Sequence, residues 1–325
     1  MRSEIFLGID IGSVTVKTAV LDGDRRLLSE SYVRIKGDPI HTLHAELEAI
    51  ASRFGERRIM AAGITGSGGK QVAGPIGALF INEILAQSAF ARGFHPGART
   101  VIEMGGEDAK LITLSPDAAS GGTKIEDFSM NTACAAGTGS FLDQQANRLH
   151  LTIEQFSSLA LKSKTPPRVA GRCSVFAKSD MIHLQQIATQ DFDIVAGLCY
   201  AMARNFKATV GKGKKFSAPL LFLGGVAANL GMRRAFRDVL KLSEQDMTVP
   251  DHFNTSGAIG AALMAGEPGE AAVAYRGAAA LTAMFSANAP QAASGMDALA
   301  SPRGIMPHPA QDAAAAKDRV VAAYL

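Results

Sequence analysis

The chain of 325 residues is 47% apolar and carries 33 basic and 30 acidic side chains, a formal net charge of +3. This length is sufficient for two packed domains, and the charge is too balanced to indicate a nucleic-acid-binding surface. No uninterrupted apolar run reaches the roughly 18 residues of a membrane-spanning helix, so we expect no membrane partner. Because the first residues enter a strand pattern at once, we expect no signal peptide and a cytoplasmic location.

Residues 1–98 carry the patterns of a small α/β unit. Apolar runs bounded by glycine and aspartate predict strands, and apolar side chains at helical spacing after Pro39 predict an amphipathic helix. In chain order, the predicted elements are strands at 5–12, 15–21 and 27–35, a helix at 40–54, a strand at 58–65, and a helix at 76–92.

The strand–turn–strand pattern restarts about ninety residues later. The predicted elements there are strands at 100–104 and 109–114, helices at 139–149, 153–162, 176–188 and 194–210, a strand at 220–223, a helix at 229–242, a strand at 248–250, and a helix at 256–265. The repeated opening predicts two related α/β halves, residues 1–98 completed by the returning helix at 254–267, and residues 99–253. The Ala/Gly/Pro-rich composition of residues 268–325 predicts a flexible extension.

The first strand–turn–strand segment has residue types suited to binding phosphate. Gly12, Ser13 and Thr15 allow backbone N–H groups and hydroxyls to approach phosphate oxygens. Asp10, at the end of the strand, could hold Mg²⁺ through water, and Lys17 offers a positive charge to the phosphates. An ordinary hairpin turn with an exposed aspartate and lysine explains the same residues, so this turn alone does not establish a nucleotide site.

Two later turns repeat this logic. Glu103, Gly105 and Gly106 follow a buried strand, and there the carboxylate could orient Mg²⁺ or the attacking water. Gly224 and Gly225 join a strand to a helix, where glycine permits close approach of an adenosine. Neither turn matches the Walker A or the dinucleotide-binding pattern.

The order of the three turns is similar to that of the actin, Hsp70 and sugar kinase superfamily. The similarity implies an α/β fold with two ribonuclease-H-like lobes around an ATP cleft. Two further features of the first half stay open in this fold. Gly66–Lys70 either contacts nucleotide or forms only a tight turn, and Glu83 faces either the cleft or the solvent.

Two cysteines stand in glycine-framed segments, Cys134 in NTACAAGTGSF and Cys173 in AGRCSVF, each ahead of a predicted helix. Thiols at helix N-termini have lowered pKa values, and in a reducing cytoplasm metal binding or catalysis is favoured over a disulfide. Two thiolates are too few for a [4Fe–4S] cluster, but a two-fold dimer would supply four. Idle packing in tight loops and a zinc site are the alternatives. Cys199, on a predicted helix, is interpreted as a core residue.

The segments CAAGTGSFLDQQANRL, GRCSVFAKSDMIHLQQ and FLGGVAANLGMRRAF, together with residues 103–110, resemble the BcrA/BadF/HgdC family of ATPases. These are activators of 2-hydroxyacyl-CoA dehydratases and ATP-hydrolysing subunits of class I benzoyl-CoA reductase. The resemblance covers residues 4 to about 265. It implies that Cys134 and Cys173 ligate one [4Fe–4S] cluster that bridges a homodimer. Many activators have Asp and Gln where this chain has Glu103 and Glu107, and the longer side chain of Glu103 shifts the reach of its carboxylate by about one C–C bond.

The same resemblance implies the site residues and the function. The residues expected to bind ATP and Mg²⁺ are Asp10, Gly12, Ser13, Thr15, Lys17, Glu103, Gly105, Gly106, Gly224 and Gly225. The expected function is that of an ATPase in an anaerobic pathway, which takes an electron from ferredoxin or flavodoxin and delivers it to a 2-hydroxyacyl-CoA dehydratase or an acyl-CoA reductase. The motifs also resemble one module of larger activases. The alternatives are a small-molecule (sugar) kinase of the same fold and a non-enzymatic ATP-binding module, neither of which would contain iron.

Overall fold

The computed structural model describes residues 4–35, 37–117, 122–131, 137–171, 174–267 and 274–282. All of them belong to one compact unit. Cys134 and Cys173 lie outside the described residues. None of the helices in these ranges is long and apolar enough to cross a membrane.

The first sheet has the strand order β3-β2-β1-β4-β5 within the described residues. Its strands are β1 (Ile5–Ile11), β2 (Thr15–Asp22), β3 (Leu27–Arg34), β4 (Ile59–Thr65) and β5 (Leu79–Phe80). β1, β2 and β3 are joined by antiparallel pairing, whereas β4 and β5 pair in parallel with their neighbours. Along β3 the side chains alternate between half-buried and exposed, as expected for a strand at the sheet edge.

The second sheet repeats this topology with the order β10-β9-β6-β7-β8. Its strands are β6 (Thr100–Met104), β7 (Ala109–Pro116), β8 (Thr123–Asn131), β9 (Leu220–Leu223) and β10 (Met247–Thr248). Here too the first three strands along the chain pair antiparallel and the last two pair parallel. The repeated topology confirms the predicted α/β fold with two related halves. The predicted lobe boundaries at residues 98 and 253 stay a prediction.

Four described helices accompany the first sheet: α1 (Pro39–Phe54), α2 (Gly69–Ile76), α3 (Glu83–Phe94) and α9 (Ser256–Ala265). Small residues let α9 lie directly on the sheet. A β-carbon at Gly8 of β1 would lie 1.8 Å from the Ala258 carbonyl oxygen, and one at Gly63 of β4 would lie 2.2 Å from the Ala261 carbonyl oxygen. This close contact fixes the ends of β1 and β4, where the site described below is formed.

The second sheet is covered by α4 (Gly139–Arg148), α5 (Ile153–Ala160), α6 (Ser174–Gln186), α7 (Asp191–Ala208) and α8 (Leu230–Leu240). α7 is the central helix, since most of its residues are buried. Phe206 of α7 packs edge-to-face on Phe236 of α8 at 5.3 Å between ring centroids, and Phe222 of β9 packs on the same ring at 5.0 Å. Such aromatic pairs stabilise the core beyond the apolar area they bury.

The single helix predicted at 76–92 is wrong. Gly77 has a φ of +67° and ends α2 with a left-handed residue, and α3 begins only after Asn82, whose side chain accepts a hydrogen bond from Ile84 N. Strand β5 lies between the two helices. Apolar residues recur at helical spacing across this interruption, so the spacing alone predicts one helix. Gly77 ends α2 and Asn82 begins α3, and these two capping residues divide the predicted helix.

Residues 274–282 belong to the predicted C-terminal extension, yet they pack against the body. Arg276 N donates a hydrogen bond to the Ile76 carbonyl at 2.9 Å, and Leu281 is fully buried. The prediction of a flexible segment therefore does not hold for these residues. Burial of the apolar Leu281 side chain against the core stabilises this segment, although its composition is rich in Ala and Gly. The rest of residues 268–325 lies outside the described residues.

Candidate functional site

A cavity of about 220 Å³ lies between the turns that follow β1 and β6, at facing ends of the two sheets. The residues of both predicted phosphate turns line it: Asp10, Gly12, Ser13, Thr15, Lys17, Glu103, Gly105 and Gly106. Gly66, Ser67 and Glu83 line it as well, so the two features left open by the sequence face the cleft. The volume is below the range of about 300–1,000 Å³ typical of whole-ligand pockets. It suits the phosphates of a nucleotide rather than the complete molecule.

In the first turn, Asp10 and Lys17 are held opposite each other. They are Cα partners in the β1–β2 ladder, and Lys17 Nζ donates to Asp10 Oδ2 at 2.8 Å. Burial alone would lower the pKa of Lys17, but the carboxylates of Asp10 and Glu103 raise it above its ordinary value. Lys17 therefore stays protonated at the position predicted to face phosphate.

The second turn repeats this pair, and here the sequence analysis missed a residue. Glu103 and Lys110 are Cα partners in the β6–β7 ladder, and their side chains meet at 2.8 Å between Oε2 and Nζ. Like Asp10 and Lys17, they are seven residues apart. This shared spacing was the signal from which Lys110 could have been predicted.

Lys110 is the centre of a buried charge cluster. Its ammonium lies 2.6 Å from Glu83 Oε2 of α3 and 2.6 Å from Asp108 Oδ2, in addition to Glu103, and its side chain is 1% exposed. Burial alone would lower the pKa of Lys110, but the three carboxylates raise it well above its ordinary value. Burial also raises the pKa of Glu83, although Lys110 opposes that shift. A single ammonium thus supports three carboxylates at the cavity wall.

The pKa of Glu103 is raised to about 7 because burial disfavours its charged form more strongly than Lys110 favours it. A carboxyl group whose pKa is higher in the folded state than in the unfolded state stabilises the fold at low pH. That stabilisation is complete below the unfolded pKa and is lost as the pH rises through the folded pKa.

We therefore predict that the wild-type protein gains roughly 2 kcal/mol of stability relative to a Glu103→Gln variant when the pH is lowered from 8 to 5. Urea unfolding at several pH values measures the difference. Glu107→Gln, which removes an exposed carboxylate from the same turn, is the control. If the free energy of unfolding changed with pH in the same way for wild type and Glu103→Gln, the prediction would be contradicted.

The lining of the cavity is acidic. Five carboxylates face two ammonium groups, an excess of three negative charges when all are ionised: Asp10, Glu83, Glu103, Glu107 and Asp108 against Lys17 and Lys110. A polyphosphate would be repelled unless a cation accompanied it, and oxygen ligands of this kind suit Mg²⁺. Within the described residues there is no group of three or more His, Cys, Asp or Glu side chains placed to hold a metal. The residues therefore fit a cation held jointly by phosphate, water and one or two carboxylates.

The predicted adenosine turn lies beside this cavity but does not line it. Gly224 has a φ of +83°, and a β-carbon there would lie 2.4 Å from the Met104 carbonyl oxygen and 2.8 Å from Glu103 Oε1. A β-carbon at Gly225 would lie 3.3 Å from the Tyr32 hydroxyl of β3. The turn thus contacts the end of β6 and reaches the first sheet. Its role in binding adenosine stays a prediction.

Helix α4 is attached directly to the second phosphate turn. Gly139 N donates to the Gly105 carbonyl and Ser140 N donates to the Gly106 carbonyl, both at 2.9 Å. These are first-turn N–H groups of α4, which have no partner within their own helix. Since α4 begins five residues after Cys134, the turn that lines the cavity is hydrogen-bonded to the helix that follows this cysteine.

The repeated sheet topology is that of the actin, Hsp70 and sugar kinase fold, and the paired acid–lysine turns line the cavity between its two sheets. The chain matches the BadF/BadG/BcrA/BcrD ATPase family over residues 7–265, and it belongs to that family. This assignment places it with the ATPases rather than with the small-molecule kinases that share the fold. Both predicted cluster ligands, Cys134 and Cys173, lie outside the described residues.

Two relatives are similar over most of their length. The activator of lactoyl-CoA dehydratase from Anaerotignum propionicum is 32% identical over 267 residues, 80% of this chain and 97% of the relative. A subunit of benzoyl-CoA reductase from Thauera aromatica is 25% identical over 270 residues, 80% of this chain and 92% of the relative.

Two solved structures have a similar fold. Component A of (R)-2-hydroxyglutaryl-CoA dehydratase from Acidaminococcus fermentans is 29% identical, with a TM-score of 0.72 over 81% of this chain and 98% of the other. The activator of 2-hydroxyisocaproyl-CoA dehydratase from Clostridium difficile, solved with bound ADPNP, is 28% identical, with a TM-score of 0.71 over 81% and 94% of the two chains.

Proposed function

We propose that this ATPase activates an acyl-CoA-reducing enzyme by coupling ATP hydrolysis to the delivery of a low-potential electron. The electron donor is ferredoxin or flavodoxin, and the acceptor is a 2-hydroxyacyl-CoA dehydratase or a related acyl-CoA reductase. The activator and reductase-subunit names of the relatives support this class of partner. When bound, a [4Fe–4S] cluster supplies a one-electron centre whose potential responds to hydrogen bonding and solvent.

The observation that carries the proposal is the attachment of α4 to the second phosphate turn. Hydrogen bonds from Gly139 and Ser140 bind the start of α4 to the carbonyls of Gly105 and Gly106. A change in this turn on nucleotide binding or hydrolysis therefore moves the helix that follows Cys134. This hydrogen-bonded contact supports the proposed route from the nucleotide to the cluster ligand Cys134, a route that requires the turn and α4 to have two arrangements.

In this proposal Asp10 and Lys17 exchange partners when Mg-ATP binds. Their 2.8 Å ion pair leaves the ammonium of Lys17 inside the phosphate cavity. Phosphate oxygens then compete for Lys17, and Asp10 becomes available to hold the hydrated cation. Glu103, supported by Lys110, orients the attacking water. The turn at Gly224 and Gly225 holds the adenosine.

The surface of α6 supports the proposed homodimer. Val175 and Phe176 stand two and three positions after Cys173, and they are 65% and 64% exposed. Large apolar side chains side by side on the surface are typical of an interface with another protein. Two chains that meet at this end of α6 would have their Cys173 segments at a shared interface, and the proposal requires two copies of Cys134 there as well to complete the four thiolates of one cluster.

The experiment that tests the proposal compares wild type with Gly139→Ala. A β-carbon at Gly139 would lie 3.0 Å from the Gly105 carbonyl oxygen and 3.2 Å from Val226 Cγ2, so the contact between α4 and the turn must give by a few tenths of an ångström. We expect anaerobic wild-type protein to activate a dehydratase in an ATP-dependent manner. We expect Gly139→Ala to lower activation about tenfold at a similar rate of ATP hydrolysis, as an overpacking cost of 1–3 kcal/mol on one coupled state implies.

Gly74→Ala is the matched control, because a β-carbon at Gly74 meets nothing within 4 Å. The assay uses the partner enzymes of the relatives: the dehydratases for 2-hydroxyglutaryl-, 2-hydroxyisocaproyl- and lactoyl-CoA, and benzoyl-CoA reductase. A wild-type protein that activates none of them would overturn the proposed function. Equal activation by Gly139→Ala and Gly74→Ala would overturn the proposed route through α4.

A further inference from the structure

Two buried oxygens in the cavity have no hydrogen-bond partner. Among the described residues, four buried side-chain atoms lack one: Thr65 Oγ1, Gln87 Oε1, Gln145 Nε2 and Asn229 Nδ2. Of these residues, only Thr65 and Gln87 line the cavity, and they are 1% and 6% exposed. An unpaired polar atom destabilises a fold when it is buried. Two of them beside one carboxylate indicate an occupant that binds there.

Both residues adjoin Asp10. Thr65 ends β4 as the Cα partner of Asp10 in the parallel β1–β4 ladder. Gln87 lies on α3 one turn beyond Glu83. A β-carbon at Gly257 of α9 would lie 2.7 Å from Asp10 Oδ2 and 3.4 Å from Gln87 Nε2. Glycine at position 257 therefore keeps open a small space where Asp10 and Gln87 converge.

The chemistry of this space selects its occupant. An amide oxygen and a carboxylate accept hydrogen bonds, and a threonine hydroxyl can accept one as well. The occupant must therefore donate hydrogen bonds in several directions. The two lysines of the lining already pair with carboxylates, and the excess negative charge disfavours an anion. Water fits, and water bound to a divalent cation fits best, because its hydrogens are strongly polarised and its charge offsets that of the lining.

We infer that Thr65 and Gln87 position the divalent cation of the nucleotide complex by accepting hydrogen bonds from its water ligands beside Asp10. They are positioning residues, since they act on the cation through water. The inference rests on the proposed Mg-nucleotide site, but it does not involve the cysteines. A failure of electron transfer would therefore leave it intact.

Paramagnetic Mn²⁺ tests this inference without measuring hydrolysis. Free Mn²⁺ is titrated by its EPR signal against protein saturated with ADPNP. We expect Thr65→Val and Gln87→Met each to weaken Mn²⁺ binding about tenfold, the effect of losing one hydrogen bond to a charged group. Thr65→Ser keeps the hydroxyl and should bind Mn²⁺ within about twofold of wild type. In EDTA the acidic lining weakens binding of the metal-free nucleotide, and the affinity for ADPNP should be weakened equally in all four proteins.

Thermal unfolding without nucleotide separates positioning from a structural role. Thr65→Val replaces an unpaired hydroxyl with a methyl group of similar shape, which is neutral or stabilising when nothing is bound. We expect its melting temperature to be no lower than that of Thr65→Ser. Equal Mn²⁺ affinity in Thr65→Val and Thr65→Ser would overturn the inference, as would an affinity for ADPNP in EDTA that is lower in the variants than in wild type. A wild-type protein whose ADPNP complex binds no Mn²⁺ would remove the proposed cation site and this inference with it.

Discussion

Replacement of Cys134 or Cys173 with serine is expected to abolish iron binding and reduce dehydratase activation to background, while ATP hydrolysis continues. A [4Fe–4S] cluster takes four thiolates, so each substitution removes two ligands from a homodimer in which both chains carry it. Neither cysteine belongs to the residues predicted to bind ATP and Mg²⁺. Loss of the cluster should therefore separate hydrolysis from activation instead of stopping both.

Cys199→Ala is the matched control for the two serine variants. Cys199 is fully buried on α7, and burial raises the pKa of its thiol to about 12. It stays a neutral thiol in the core and is not a metal ligand. Anaerobic wild type and Cys199→Ala should each hold about four irons per dimer with the EPR signal of a reduced cluster. Full iron content in Cys134→Ser or Cys173→Ser would disprove the assigned ligands.

The phosphate turns could be predicted from sequence because their signal is local. In each, a buried strand ends in a carboxylate and is followed by glycine within two residues. Backbone conformation and strand pairing then follow from neighbouring residues. Asp10 and Glu103 line one cavity, whereas the sequence related them only through the order of the two turns.

The charge cluster around Lys110 could not be predicted in the same way. One of its carboxylates comes from Glu83, which the fold of α3 brings to Lys110 from 27 positions earlier in the chain. The sequence left Glu83 undecided because a charged residue on an amphipathic helix is usually solvated. Thr65 and Gln87 were missed for a related reason: their significance lies in having no partner in the folded chain, which no sequence pattern records.

Strand β8 was missed because its composition is that of an exposed edge. Within Thr123–Asn131 most side chains are exposed or half-buried, and polar residues dominate. The strand forms because it pairs with β7 along its whole length. Its conformation therefore depends on a partner strand and not on its own sequence pattern.

Replacement of Lys110 with methionine is expected to destabilise the protein by about 3–5 kcal/mol at pH 8, since removing one partner leaves buried charges uncompensated. Glu83, Glu103 and Asp108 all lie within 2.8 Å of the Lys110 ammonium, and the packing of the aliphatic chain is kept by methionine. The exposed pair of Lys214 with Asp127 offers the control, because Lys214→Met should cost no more than about 1 kcal/mol.

The pH dependence distinguishes this electrostatic cost from a packing defect. Without Lys110, which lowers the pKa values of Glu83 and Glu103, both values rise further in the folded state. The folded protein then binds more protons than the unfolded chain, so stability is lost as the pH rises through the folded pKa values and is recovered below the unfolded ones. Urea unfolding should therefore show Lys110→Met approaching wild type as the pH falls from 8 towards 5. If the unfolding free energy of Lys110→Met stayed below that of wild type by the same amount at every pH, the Lys110 ammonium would not be the group that stabilises these carboxylates in the cavity wall.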